Sequence, residues 1–320
     1  MSSAHEATES PATPRGTLTV FRIAAACTIA AVALGSVVCA TESGFECGTW
    51  PGCQSGALLP VGPVSTALYQ NPWIEMVHRT SAILAGPFAV AAGVLAGRLH
   101  RAGRTPLLTA VLPWVTVAGA LVAGYVGRGV VLGVEFPTWV AAADLGSAVL
   151  AMAAIVTATV LLERPGRRRR TPSATWAWTA FGSALAMHLT SLFVAGAGSF
   201  TRCVSWPVAE ILPADAGSPL GLHIVRFILC GLAALATIFA LRAARPDPAL
   251  RPTAVATTAA FGAVVGLFVI RRVVGHADLG VVYSLASVAV LVTLVLLGAR
   301  ALAPEPAATP ATPDLEATAA

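Results

Sequence analysis

Lysine is absent from all 320 residues, and charged residues of every kind make up only 11% of the chain. Every one of the 20 basic side chains is therefore an arginine. The arginines cluster between apolar runs rather than on one basic face, so the formal charge of +5 reads as membrane topology and argues against nucleic-acid binding. So little charge also excludes one soluble core. With 56% hydrophobic residues and a mean hydropathy of +0.78, the chain must use lipid as solvent. Two further patterns are missing. The first 17 residues are Ser/Thr/Pro-rich and lack the basic-apolar-small order of a cleaved signal, so they read as a disordered cytoplasmic tail. The strict alternation of a barrel strand is absent as well, which leaves helices as the elements that can cross.

What is present is a series of apolar stretches near the length a helix needs to span the hydrocarbon. Eight occur, at about 18–40, 74–97, 107–127, 137–162, 175–198, 220–243, 253–273 and 276–299. An N-terminus in the cytoplasm places fourteen arginines inside, against six at or near the outer ends: Arg79, Arg128, Arg202, Arg226, Arg271 and Arg272. Residues 1–17 then form a cytoplasmic tail, 18–162 a first four-helix half and 163–174 an Arg-rich cytoplasmic linker. A second four-helix half covers 175–299, and the Ala/Pro/Thr-rich 300–320 forms a second disordered tail. Both termini lie in the cytoplasm of a multi-pass cell-membrane protein.

The halves look duplicated. CGTWPG (47–52), Pro60 and a helix opening WIEMVHR follow the first span; CVSWPV (203–208), Pro213 and a helix opening GLHIVR follow the fifth. The fourth span contains AADLGSAV and the eighth HADLGVVY. Two elements in matching order argue for internal duplication and for a pair of pseudo-symmetric four-helix bundles.

Ionisable groups in or beside the spans carry the functional question, because each is costly there. His78 has Glu75 three positions before it on the same helical face, which reads either as a metal ligand beside a carboxylate or as an interfacial pair touching water. His223 and His276 each begin a span at one depth. If helices six and eight face each other, two imidazoles opposed across a bundle are the arrangement that holds a heme iron; otherwise they are unrelated interfacial histidines. Arg226, three residues after His223, either pairs with a heme propionate or snorkels to the headgroups. Asp144 and Asp278 either anchor helix ends or, being carboxyl groups so close to lipid, are protonated or paired with an arginine such as Arg128, Arg271 or Arg272. His188, mid-span with no carboxylate near it in sequence, reads as a hydrogen-bonded packing residue, and His5 and His100 as solvated.

The cysteine loop with Trp50-Pro51 inside it, followed by Ile74-Glu75-x-x-His78-Arg79, resembles the heme A synthase family, membrane enzymes that convert heme O into heme A for terminal oxidases. The likeness runs from about 18 to 299. It implies eight spans in two pseudo-symmetric halves, with heme b held in the second by His223 and His276. It implies substrate heme in the first half at His78, and an activity-bearing carboxylate at Glu75. It also implies a disulfide between Cys47 and Cys53 on the oxidising face. Partners implied are heme O, the enzyme that makes it, and cytochrome oxidase assembly factors.

One departure is prominent. Where the family shows His-Leu-Gly in the fourth span, this chain has Asp144-Leu145-Gly146, and no histidine occurs between 101 and 187. Either His78 holds the substrate iron, alone or with a carboxylate, or the chain keeps only the second-half heme as an electron carrier or assembly factor. A transporter is a third reading, against which stands the absence of matched broken helices. Cys203 has no cysteine six positions later, so the first loop alone is expected to carry a disulfide. The Trp-Pro loops read as caps over the two halves, with Pro51 and Pro207 fixing the backbone.

Overall fold

The computed structural model describes residues 14–54, 56–61, 67–164, 168–196, 204, 217, 219–274 and 279–304. Their structure is all-helical: α1 (Arg15–Ala40), α2 (Pro72–Arg101), α3 (Leu107–Val131), α4 (Thr138–Glu163), α5 (Pro172–Ala195), α6 (Leu220–Ala244), α7 (Arg251–Val274) and α8 (Gly280–Arg300). Each is long and apolar enough to cross a membrane. Helix starts follow local chemistry. Asn71 caps α2 by accepting from the Trp73 N–H at 2.9 Å with Pro72 at the first helical position, and Thr171 caps α5 by accepting from Ala174 at 3.2 Å. Several buried threonines return their hydroxyls to the preceding turn, as Thr28 does to Ala24 at 2.7 Å, whereas the buried hydroxyl of Thr109 has no partner among the described residues.

The tails are shorter than expected. α1 begins at Arg15 rather than 18, and the chain stays packed beyond Arg300: 168–169 pair antiparallel with 303–304, and the Thr171 hydroxyl donates to the Ala301 carbonyl at 2.7 Å. The link between halves is thereby tied to the end of α8.

Packing follows the order of the chain. α1 lies on α2, α2 on α3, α3 on α4, and α4 closes the ring on α1, which leaves α2 and α4 at opposite corners. In the second half α5 packs on α6, α7 on α8 and α8 back on α5, while α6 touches α7 only lightly. The halves meet through α1 on α8, α4 on α5 and α4 on α8. Exchanging each helix for the one four places along maps these contacts onto one another, as a duplicated chain related by a two-fold axis requires. In each half a threonine also reaches from the third helix to a carbonyl of the fourth, Thr116 to Ala151 at 3.0 Å and Thr257 to Thr293 at 3.4 Å.

α4 is the shared wall. Every residue from Ala151 to Leu162 is buried, as expected of a helix that is apolar on all faces. Small residues let its neighbours come close: a Cβ on Gly119 of α3 would lie 2.6 Å from the Ser147 carbonyl of α4. Gly119→Leu should force the two backbones apart and cost about 1–3 kcal/mol, the usual penalty of overpacking. Thermal unfolding of the purified protein in detergent checks this as a lowered midpoint.

Candidate functional site

The ring of α1 to α4 encloses a cavity of about 760 Å³. Its lining is mainly alanine, valine, leucine and glycine, with Glu42, Trp50, Glu75, His78, Arg79, Arg128 and Asp144 as the conspicuous polar and aromatic groups. The volume lies within the range of roughly 300–1,000 Å³ typical of small-molecule and cofactor sites.

His78 enters from α2 and packs on α1. Its ring sits beside the Ala31 carbonyl, and a Cβ on Gly35 would come within 3.0 Å of Cε1, so glycine at that place makes the room the imidazole occupies. Nδ1 is buried and has no hydrogen-bond partner among the described residues. Asp144 faces the same cavity from α4. Its carboxylate makes no ion pair or hydrogen bond among the described residues, so the alternative of an arginine partner such as Arg128 is not realised there.

Glu75 is engaged otherwise than its spacing to His78 suggests. It turns from His78 to Arg79: Oε1 pairs with the Arg79 guanidinium, while Oε2 accepts the Cys47 N–H at 2.8 Å. Both side chains are buried, at 3% and 8% exposure. Arg79 spends its remaining donors on loop carbonyls, on Thr49 and Gly52 at 2.6 Å each and on Cys47 at 3.0 Å. The loop is closed by the Cys47–Cys53 disulfide, as the resemblance implied. Gly52 is required there, because a Cβ would lie 2.5 Å from the Ala57 carbonyl. Ser43 and Thr41 pin the far end: the Ser43 hydroxyl accepts the Asn71 N–H at 3.0 Å and lies 2.7 Å from that of Thr41. Trp50, partly exposed, lies under the Arg128 guanidinium, 5.9 Å from carbon to ring centroid, where a cation–π attraction operates. The loop thus caps the cavity, held to α2 one turn from His78.

The expectation that only this loop carries a disulfide is corrected: Cys39, at the end of α1, is also disulfide-bonded, with its partner outside the described residues. Spacing could not show it, since pairing between distant cysteines is not encoded in local sequence. Cys27 and Cys230 are free thiols.

In the second half His223, itself 2% exposed, lies beside Arg226, which links it to Ser191 of α5. Arg226 on α6 is wholly buried, donates from Nε to the Ser191 hydroxyl of α5 at 2.9 Å, and brings Nη1 to 3.4 Å from His223 Nδ1. It therefore does not snorkel. Ser191 lies three residues after His188, on one face of α5, and Arg226 acts electrostatically on both histidines. The reading of His188 as a hydrogen-bonded packing residue fails at Nδ1, which is buried without a partner among the described residues. His276 and Asp278 lie outside the described residues, as do Cys203 and the second Trp-Pro.

Arg79 and Trp50 have a place in the sequence motif but no contact of their own there, and the sequence did not single out Gly35 or Ser191. Arg79 had a signal, four positions after Glu75, the spacing of a helical ion pair. Gly35 and Ser191 also had one: each stands twelve residues before the cysteine that opens Cys-x-x-Trp-Pro, and each touches the group that approaches from the next helix.

A porphyrin needs an apolar slot, a cation near its carboxylates and an imidazole for its metal. The first cavity fits on all three counts, with Arg128 at the mouth and the orphaned Nδ1 of His78 inside. The second bundle fits in donor type and burial through His223. Binding metal at Nε2 there would put the ring proton on Nδ1, so Arg226 would have to leave that nitrogen. Fold and site together define a multi-pass all-α membrane protein with a capped, histidine-bearing cavity in its first half and a buried His-Arg cluster in its second. No protein-family model and no curated protein matches the chain.

Proposed function

We propose that this chain is a membrane oxidoreductase of the heme A synthase type, oxidising a ring methyl group of heme O to the formyl group of heme A. The observation that carries the reading is the apolar cavity holding His78 beneath a disulfide-closed loop that Glu75 and Arg79 bind to α2. His78 would hold the substrate iron. The methyl passes through hydroxymethyl to a hydrated aldehyde that loses water; each of the two oxidations takes its oxygen from a water molecule and releases two protons, with an electron pair going to an acceptor outside this chain. Heme b, when bound by His223 and His276, supplies a one-electron redox centre. The chain's own residues position and enclose. The loop excludes water from the mouth, Arg128 meets ligand carboxylates, and Glu75 sets a negative charge one turn from His78 while orienting Arg79. The arginine distribution supports a cell-membrane location with both termini in the cytoplasm. Heme O, its producing enzyme and oxidase assembly factors are the partners this reading carries.

A second reading, a non-catalytic heme-binding electron carrier or oxidase assembly factor, is favoured by Asp144, since the first bundle offers no second imidazole. Extraction and chromatography of hemes from cells with and without the chain separates the two. Heme A present only with the chain is the expected result; heme O alone in both strains rejects the enzyme.

A further inference from the structure

We infer that His78 and Asp144 form an unlike pair of ligands across the first cavity, so that a bound iron porphyrin has an imidazole on one face and a carboxylate on the other. The inference rests on the proposed heme-binding reading and adds to it the identity of the opposite face. The two residues come from α2 and α4, the opposite corners of the first ring. Both helices start at the end that carries the capped loop. His78 stands six residues into α2 and Asp144 six residues into α4, so each lies roughly 9 Å below its helix start at 1.5 Å per residue. Both face the one cavity.

Each is also chemically unfinished. His78 Nδ1 is buried without a partner, and the Asp144 carboxylate has neither cation nor hydrogen-bond donor among the described residues. A carboxyl group inside a transmembrane helix stays neutral by protonation or keeps its charge only where a cation compensates it, and a metal centre entering the cavity would supply that cation. A bound metal centre between the two would satisfy both at once. A neutral ligand with donors only at its rim would leave at least one of them unmet.

The pair has a spectroscopic consequence. Two imidazoles form a strong ligand field and hold heme iron low-spin, whereas a carboxylate oxygen opposite one imidazole forms a weaker field and leaves it high-spin. The first half is thus a high-spin site with an exchangeable face, and the second, with His223 and His276, a low-spin one.

The test is titration of the purified full-length chain with ferric protoporphyrin IX, followed by electron paramagnetic resonance and resonance Raman spectroscopy. One high-spin and one low-spin iron per chain are expected. Asp144→His should replace the high-spin signal with a second low-spin one, a roughly twofold rise in low-spin intensity per chain. Asp144→Cys, closer in size, should instead bring a thiolate signature. His78→Ala should remove the high-spin component alone. The low-spin signal of the second bundle reports whether each variant has folded. Two low-spin irons in the unaltered chain, or a high-spin signal untouched by both Asp144 variants, would overturn the unlike pair while leaving heme binding intact. No porphyrin bound at all would instead sink the heme reading on which it stands.

Discussion

His223→Ala should abolish the low-spin heme b spectrum of the purified protein. The imidazole is buried at 2% exposure three residues into α6, in the half where the sequence places its partner His276. Removing one of two axial ligands leaves five-coordinate iron, which is high-spin or lost on purification, so the low-spin bands should vanish rather than weaken. His188→Ala is the matched control. His188 is equally buried and lies in the same cluster, but it comes from α5, beside Ser191, and the proposal gives it no iron. Its variant should keep the low-spin bands. Arg226→Met should keep them too, with a shifted potential, because it removes the positive charge beside the ring. Low-spin bands that survive His223→Ala and disappear with His188→Ala would move the ligand from α6 to α5.

Much of the fold was legible, for a physical reason. A lipid-crossing helix must be long and uninterruptedly apolar, and runs of that kind can be read from sequence alone. The eight expected spans match the eight helices to within four residues, a shift reached at the ends of α2 and α3, which run on to Arg101 and Val131, and at the start of α8 at Gly280. Which helix packs on which was less legible. Lipid-facing and core-facing side chains are both apolar, so Leu121 and Tyr125, exposed on α3, look no different in sequence from the buried run of α4. Packing is decided instead by where small residues allow close approach, as Gly119 does against Ser147.

The site was legible where residue type alone narrows the chemistry. The Cys47–Cys53 loop with Trp-Pro inside it, His78 and His223 near helix heads and Asp144 in a span could all be picked out by residue type. Their pairings could not. Glu75 lies three residues from His78 and four from Arg79, and both neighbours share its helical face. The choice between them is made by the loop, whose carbonyls of Cys47, Thr49 and Gly52 draw the guanidinium in and the carboxylate after it. Contacts of that kind join residues some thirty positions apart, beyond any helical periodicity. The Cys39 disulfide was hidden for the same reason.

Glu75→Ala should stop heme A formation, with heme O or a partly oxidised heme accumulating, and should also destabilise the protein. Both oxygens are in use, so the carboxylate works by holding the cap in place and setting the charge beside His78. Removing it leaves the Arg79 cation buried and lacking its counter-charge, and breaking a buried ion pair from one side costs about 3–5 kcal/mol. Arg79→Met breaks the same pair from the other side, strands three loop carbonyls and should give the same heme profile. The double variant Glu75→Ala/Arg79→Met removes both charges, so its unfolding midpoint should lie above that expected from adding the two single losses. Unfolding curves and extracted hemes from the three variants decide the role. Equal loss of heme A in both single variants assigns Glu75 to the cap. Retained heme A in Arg79→Met, against complete loss in Glu75→Ala, assigns the carboxylate to the substrate itself, because the cap would then be dispensable and the charge beside His78 would not.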